Sequence, residues 1–290
     1  MGKEINREHK DRLFIFLFGR EENKKWTLEL YNAINGTDYS NSDDIEINTI
    51  EDVLYMGMKN DVSFLLGSFL SLYEQQSTFN PNMPIRNLMY LGKLYDKYIH
   101  SHGLNIYGRH QIKLPVPKLI TIYNGDEERD DDYILRLSDA FEDEHKLYSD
   151  VDVRVRMINI NPGHNDKLVN LCKPLFEYSW LIGTIRQNRK TMDIRSAVNQ
   201  ALKDMPQEFV IREFIELNRA EVTDMCLTEY NEAETMQMFR EEARAEGLAE
   251  GRAEGRVAGM EQRDSEILKA INEGASLEDI KRMVIFKNKP

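Results

Sequence analysis

The spacing of hydrophobic positions changes along the chain, and the changes mark its elements. Leu13, Phe14, Leu17 and Phe18 recur at helical intervals, and so do Leu28, Leu30, Tyr31 and Ile34. Residues 7 to 35 are therefore predicted to form one or two helices, with Gly19 and Gly36 as their stops. Asn35-Gly36 and Asp43-Asp44 bound a polar loop, and Ile45-Glu46-Ile47-Asn48 alternates like a strand. Two strand-like runs, 61 to 66 and 69 to 76, flank Gly67-Ser68, a two-residue hairpin signal. Pro84 then opens a predicted helix from Ile85 to His100, with Leu88, Leu91, Leu94, Tyr95 and Tyr98 as its apolar set. Pro117 to Tyr123 is nearly all apolar or β-branched, as in a buried strand, and ends at Asn124-Gly125. Val151 to Ile160 alternates again and turns at Asn161-Pro162-Gly163-His164. From Asp166 to about Phe239 the period is helical throughout.

The last fifty residues follow another rule. Arg244 to Gly259 runs RAEG, LAEG, RAEG, RVAG, a four-residue repeat predicted to be helical although each Gly costs about 1 kcal/mol relative to Ala. Glu246, Glu250 and Glu254 form one stripe and Arg244, Arg252 and Arg256 an opposite one, so i,i+4 neighbours are mostly like-charged. A partner helix from a second copy would match acid to base, while a solvated linker helix fits the pattern equally well. Ser276 reads as the N-cap of a final short helix. The implied organisation is 1-165 as a mixed α/β domain, 166-240 as a helical region packing on it, and 241-290 as the charged repeat helix with its short terminal helix.

Composition removes several classes. The chain has 290 residues, enough to bury a core without a metal or disulfide. Its two cysteines, Cys172 and Cys226, are far apart, which excludes a disulfide framework and fits a reducing cytoplasm. No apolar run reaches the ~20 residues of a membrane span, and the short apolar stretch near residue 15 is flanked by charge. The net charge of -12 is unlike a DNA-binding protein on average, but it is unevenly spread. Residues 126 to 152 hold 12 acids and 3 bases, whereas residues 80 to 125 hold six cations and one acid: Arg86, Lys93, Lys97, Arg109, Lys113 and Lys118 against Asp96. The acidic run is expected to lie away from any bound nucleic acid, and Asp130-Asp131-Asp132 within it, which lacks the glycine and distal Glu of an EF-hand loop, reads as a solvated loop.

The hairpin carries the chemistry. With Gly67-Ser68 as loop residues, paired positions sum to 135, so Asp61 faces Glu74 and Lys59 faces Gln76 on the same side of the sheet. Two adjacent carboxylates call for a cation between them. Oxygen ligands suit Mg²⁺, which takes one or two carboxylates plus waters and a substrate phosphate.

Asn60-Asp61, twelve residues, then Glu74-Gln75-Gln76 resembles the PD-(D/E)xK nuclease signature. The chain as a whole is similar to the recombination-promoting nuclease group of that superfamily, whose members are also described as transposases. The matching text is MGMKNDVSFLL, LYEQQSTFNPNMPIRNLMYLGKLYDKYI, LPVPKLITIYNG, VRVRMININPGH and the AEGRAEG tail. The resemblance implies a restriction-endonuclease-like αβββαβ core with a mainly helical C-terminal region. It implies Mg²⁺-dependent hydrolysis of DNA, with Mn²⁺ as a substitute. Asp61, Glu74 and the Gln75 carbonyl would be the metal ligands. Arg86, in the MPIR segment, with Lys93 and Lys97 on the same helix, would contact DNA. Gln76 departs from the motif, which has lysine there; an amide holds a water but brings no charge, and Lys59 across the hairpin is the replacement cation. The alternative is a degenerate, non-catalytic relative that binds DNA or self-associates through its helical tail. His100 and His102 fall on different helix faces and read as C-terminal dipole partners rather than metal ligands. The Tyr90, Leu94, Tyr95 and Tyr98 group reads as core rather than as a base-stacking platform.

Overall fold

The computed structural model describes residues 13–48, 62–276 and 280. The hydrophobic stripe of residues 13 to 34 forms α1 (Leu13–Phe18) and α2 (Lys24–Asn35). Asn23, just before α2, and Thr27, in its first turn, face inward and bond the carbonyls of Phe16 (3.1 Å) and Phe18 (2.7 Å), which satisfies the end of α1 within the core. α2 stops at Gly36, as its sequence implies.

Three strands follow, β1 (Ile45–Ile47), β2 (Val62–Leu66) and β3 (Phe69–Gln76). β2 and β3 pair antiparallel from Leu66↔Phe69 to Val62↔Tyr73, each pair summing to 135 as read from the sequence. The register is set by the turn. Gly67 adopts φ 56° while Ser68 stays at negative φ, the pattern of a type II′ turn, whose twist matches that of the flanking strands.

α3 (Met83–Ser101) crosses back over the sheet and delivers β4 (Val116–Tyr123) parallel to β3, from Phe69↔Val116 to Gln76↔Tyr123. A parallel neighbour needs such a crossover. β6 (Arg154–Asn159) lies parallel to β4, and β5 (Asp132–Arg136) closes the edge antiparallel to β6. Among the described residues these strands make one mixed sheet, in the order β1-β2-β3-β4-β6-β5.

Two sequence readings need correction. Asp130-Asp131-Asp132 is not all solvated loop, because β5 begins at Asp132. Acids of the run are neutralised locally: Asp132 binds Arg156 through Nε (2.9 Å), and Asp152 lies between Arg136 (3.0 Å) and Arg154 (3.5 Å), which the register sets opposite each other. The inward face of α3 is largely as predicted, with Leu91, Leu94, Tyr95 and Tyr98 in or against the apolar cluster, but Leu88 does not belong to it. Met83, Pro84, Asn87, Tyr90 and Leu94 are buried, whereas Leu88 is exposed. Tyr90 and Leu94 pack with Leu65, Leu70 and Leu72, which turns Leu88 outward.

The C-terminal half is mainly helical: α4 (Asp166–Leu171), α5 (Lys173–Arg189), α6 (Ile194–Asp204), α7 (Arg212–Leu217) and α8 (Arg219–Asn272). Leu175, Tyr178, Leu181, Val198, Ile215 and Val222 join one apolar cluster with Phe14, Leu30, Phe64, Tyr73 and Ile158, so these helices cover the same sheet face as α1 and α2. Glu177, buried on α5, accepts the N–H groups of Val210 (2.9 Å) and Ile211 (3.0 Å) and fixes the segment that enters α7. Both cysteines are buried thiols, and burial pushes their ionisation far up. No described helix is long and apolar enough to cross a membrane.

The chain forms two compact units, Met1–Ala233 and Glu234–Pro290. In the second, the repeat is helical as its composition implies, and Val257, Met260, Leu268 and Ile271 are exposed. The helix predicted after Ser276 falls on 277–279, outside the described residues.

Candidate functional site

Strand alternation sorts β3 into two faces. Tyr73 and Gln75 turn toward α2 and α5, and Leu70, Leu72, Glu74 and Gln76 toward α3. Glu74 is only 1% exposed. Its Oε2 lies 3.3 Å from Nη2 of Arg86, which stands in the first turns of α3 directly above it. The same guanidinium reaches the Tyr90 hydroxyl (3.4 Å) and, through Nη1, the Met83 sulfur (3.5 Å). Thus Pro84, by starting α3 where it does, sets Arg86 over the carboxylate.

Gln76 is 6% exposed on the same face. Its Nε2 donates to Met83 Sδ (2.6 Å), and its Oε1 has no hydrogen-bond partner among the described residues. Gln76 O accepts from Asn124 N–H (3.0 Å), so the backbone of Gln76 faces β4 and, by alternation, the Gln75 carbonyl faces the β2 side. The Gln75 side chain lies on the other face. It donates to Asn124 Oδ1 (2.7 Å), and Asn124 Nδ2 donates to the Tyr178 hydroxyl (3.1 Å). That chain ties the ends of β3 and β4 to α5. Beside it Gly125 has no room for a side chain: a Cβ would lie 2.5 Å from both Ser77 O and the Tyr123 hydroxyl.

Two residues that the sequence reading did not single out belong to this neighbourhood. Thr121 is the cross-strand partner of Glu74, and Asn87 lies one turn along α3 from Met83, whose carbonyl its Nδ2 bonds (3.0 Å). Both are fully buried, and Thr121 Oγ1 and Asn87 Oδ1 have no hydrogen-bond partner among the described residues. The available signal was a polar residue on each buried face: Asn87 among the inward positions of α3, and Thr121 within Leu119–Tyr123.

The other sequence-derived candidates are placed as follows. Asp61 and Lys59 lie outside the described residues. Arg86, Lys93 and Lys97 share one stripe of α3, but only Arg86 sits at the carboxylate; Lys97 is eleven residues further on, about 16 Å along the helix axis. Lys118 pairs with Ser71 toward the Phe69 end of the sheet, and its ammonium lies over the Phe69 ring. Arg109 and Lys113 are on the loop joining the C-terminus of α3 to β4. The cations of residues 80 to 125 therefore do not converge on Glu74. Asp131 bonds His164, and His102 Nδ1 lies 2.9 Å from Tyr98 O at the end of α3. Elsewhere Glu142, Glu144 and His145 bring ligand atoms close together on an exposed loop, an arrangement common without a metal.

Residues 74 to 76 suit a hard divalent cation in donor chemistry: a carboxylate, a backbone carbonyl directed toward the β2 side, and a buried amide oxygen with an unused acceptor site. Comparison with protein-family models, with curated proteins and with solved structures found no match.

Proposed function

We propose that this chain is a metal-dependent DNA endonuclease of restriction-endonuclease-like fold, linked to recombination or mobile elements. The observation that carries the reading is the pair Glu74 and Gln76, buried side by side at the end of β3 in a hairpin whose pairs sum to 135. The sequence reading that pairs Asp61 with Glu74 uses the same sum. The order of α2, β1, β2, β3, α3 and β4, with β3 and β4 parallel, supports the αβββαβ core.

In this reading Asp61, Glu74 and the Gln75 carbonyl hold Mg²⁺ or Mn²⁺. When bound, the ion polarises the scissile phosphate and lowers the pKa of a water. Gln76 orients that water through its amide oxygen, Lys59 supplies the positive charge that the motif assigns to residue 76, and Arg86 neutralises Glu74 when no cation is present. Lys93 and Lys97 track the DNA backbone, and their small number makes binding strongly salt-sensitive. The protein acts in the cytoplasm, in keeping with two buried free thiols. The repeat helix pairs with that of a second copy.

One observation favours a second reading. Arg86 already occupies the carboxylate, and an amide stands where the motif has lysine. A non-catalytic relative that binds DNA or self-associates would keep both features.

Plasmid cleavage tests the choice. Wild-type protein should linearise or nick supercoiled DNA only with Mg²⁺ or Mn²⁺, and Asp61→Ala and Glu74→Ala should each lose the activity. Equal loss of supercoiled DNA in all three proteins would identify a contaminant and leave the binding reading. A wild-type rate in Lys59→Ala would remove that lysine from the mechanism.

A further inference from the structure

We propose that Asn87 and Thr121 extend the Glu74 site into a buried, oxygen-lined chamber that holds the water shell of a divalent cation. The inference rests on the metal-binding reading of Glu74 and adds two positioning residues to it.

The first argument is placement. Thr121 is the cross-strand partner of Glu74 on β4, one strand spacing away. Asn87 is attached to Met83, and Met83 touches both Gln76 and Arg86 through its sulfur. Arg86 in turn contacts Glu74. These residues form one connected group between α3 and the ends of β3 and β4, on the same sheet face as the packed Leu72, Tyr90 and Leu119.

The second argument is polarity. Three side-chain oxygens of this group, Gln76 Oε1, Asn87 Oδ1 and Thr121 Oγ1, are buried without a hydrogen-bond partner among the described residues. A buried polar atom is normally satisfied, and each exception asks for an explanation. All three accept, and beside them stands a carboxylate. The one cation of the group, Arg86, is engaged by Glu74, so three acceptors beside a carboxylate favour an occupant that donates protons over an anion such as phosphate. Water bound to Mg²⁺ or Mn²⁺ is the matching occupant. Its lone pair is committed to the metal, so its protons need acceptors, and Mg²⁺ keeps several of its waters when it binds protein. Outer groups of this kind commonly set metal affinity as strongly as the ligands do.

Isothermal titration of the full chain with MnCl₂ tests the inference directly, with no nucleic acid present. Thr121→Val keeps the shape of the side chain and removes only the hydroxyl. It should weaken Mn²⁺ binding about tenfold while leaving the metal-free melting temperature unchanged or higher, because an unsatisfied oxygen has been replaced by a methyl group. Asn87→Asp should do the reverse, tightening Mn²⁺ binding several-fold and lowering the metal-free melting temperature. Wild-type Mn²⁺ affinity in both variants, with binding lost in Glu74→Ala, would overturn the chamber and leave the metal at Glu74. Wild-type affinity in Glu74→Ala would overturn the metal-binding reading itself, and the chamber with it.

Discussion

The two faces of the sheet are built on opposite principles. On one, α1, α2 and α5 to α8 bury a continuous apolar cluster from Leu13 to Cys226. Most of its polar members have a named partner, as Asn23, Thr27, Asn124 and Glu177 do, while the Ser71 and Tyr230 hydroxyls have none among the described residues. On the other face α3 lies across the sheet almost alone. Its apolar contacts fall into two small groups, Leu65, Leu70, Leu72, Tyr90 and Leu94 in one, and Met83, Leu135, Leu137, Val153 and Val155 in the other. The polar group around Glu74 lies where they meet. One face closes the fold, and the other covers a charged carboxylate at a cost in packing. What distinguishes the α3 face is a group of neighbouring buried oxygens, Gln76 Oε1, Asn87 Oδ1 and Thr121 Oγ1, without a hydrogen-bond partner among the described residues.

The sharpest test of that contrast is a matched pair of cavities. Leu181 and Leu94 are both fully buried. Leu→Ala costs span about 2–5 kcal/mol, depending on how far the surroundings collapse. Leu181→Ala, within the large continuous cluster, should fall near the top of that range, and Leu94→Ala, in the small cluster that α3 makes with the strands, near the bottom. Equal urea midpoints for the two variants would show that the faces are packed alike.

Gly125→Ala should come next. The added methyl meets the backbone oxygen of Ser77, which cannot swing aside, and the expected loss is about 1–3 kcal/mol. Thermal unfolding with an unchanged midpoint would mean that the strand ends are loose.

A smaller effect is expected from Tyr178→Phe, which deletes the hydroxyl that Asn124 bonds. A loss of about 1 kcal/mol is expected by chemical denaturation. A gain would show that the Gln75–Asn124–Tyr178 chain holds position rather than adding stability.

The smallest concerns pH. Burial raises the ionisation of Glu177, against the lowering effect of its bonds from Ile211 and Val210. An acid raised on folding holds its proton longer in the folded chain, so its contribution to stability falls as pH rises through the carboxylate range, from about pH 4 upward. Glu177→Gln cannot titrate and should lack this decline. Urea midpoints of the two proteins that diverge in the opposite sense would show that the two N–H bonds outweigh burial.

Much of the fold is legible in the chain. A two-residue turn has few geometries, so Gly67-Ser68 alone sets the β2–β3 register. Pro84 marks the start of α3 for the same local reason. On α3 the exchange of Leu88 for Asn87 on the inward face is not legible, because the two are adjacent at the edge of an otherwise correctly read apolar stripe. Only the strands beneath decide that Asn87 goes in. β5 is hidden because Asp132 at its start suggests solvent, while the arginine that neutralises it, Arg156, arrives 24 residues later. At the site the sequence points to Glu74 and Gln76, whose motif is local. It does not point to Thr121, whose relation to Glu74 exists only through the parallel pairing of β3 with β4.

That pairing has a consequence in time. Val62 and Tyr73 are joined by a ten-residue loop of chain, whereas Glu74 and Thr121 are 47 positions apart. Hairpins close in microseconds, and pairings that span long loops form later. On a folding pathway the acid of the site is therefore set in its strand first, and the threonine beside it and the helix above it arrive afterward. For that interval Glu74 faces water, and the last event in building the site is the burial of its own charge.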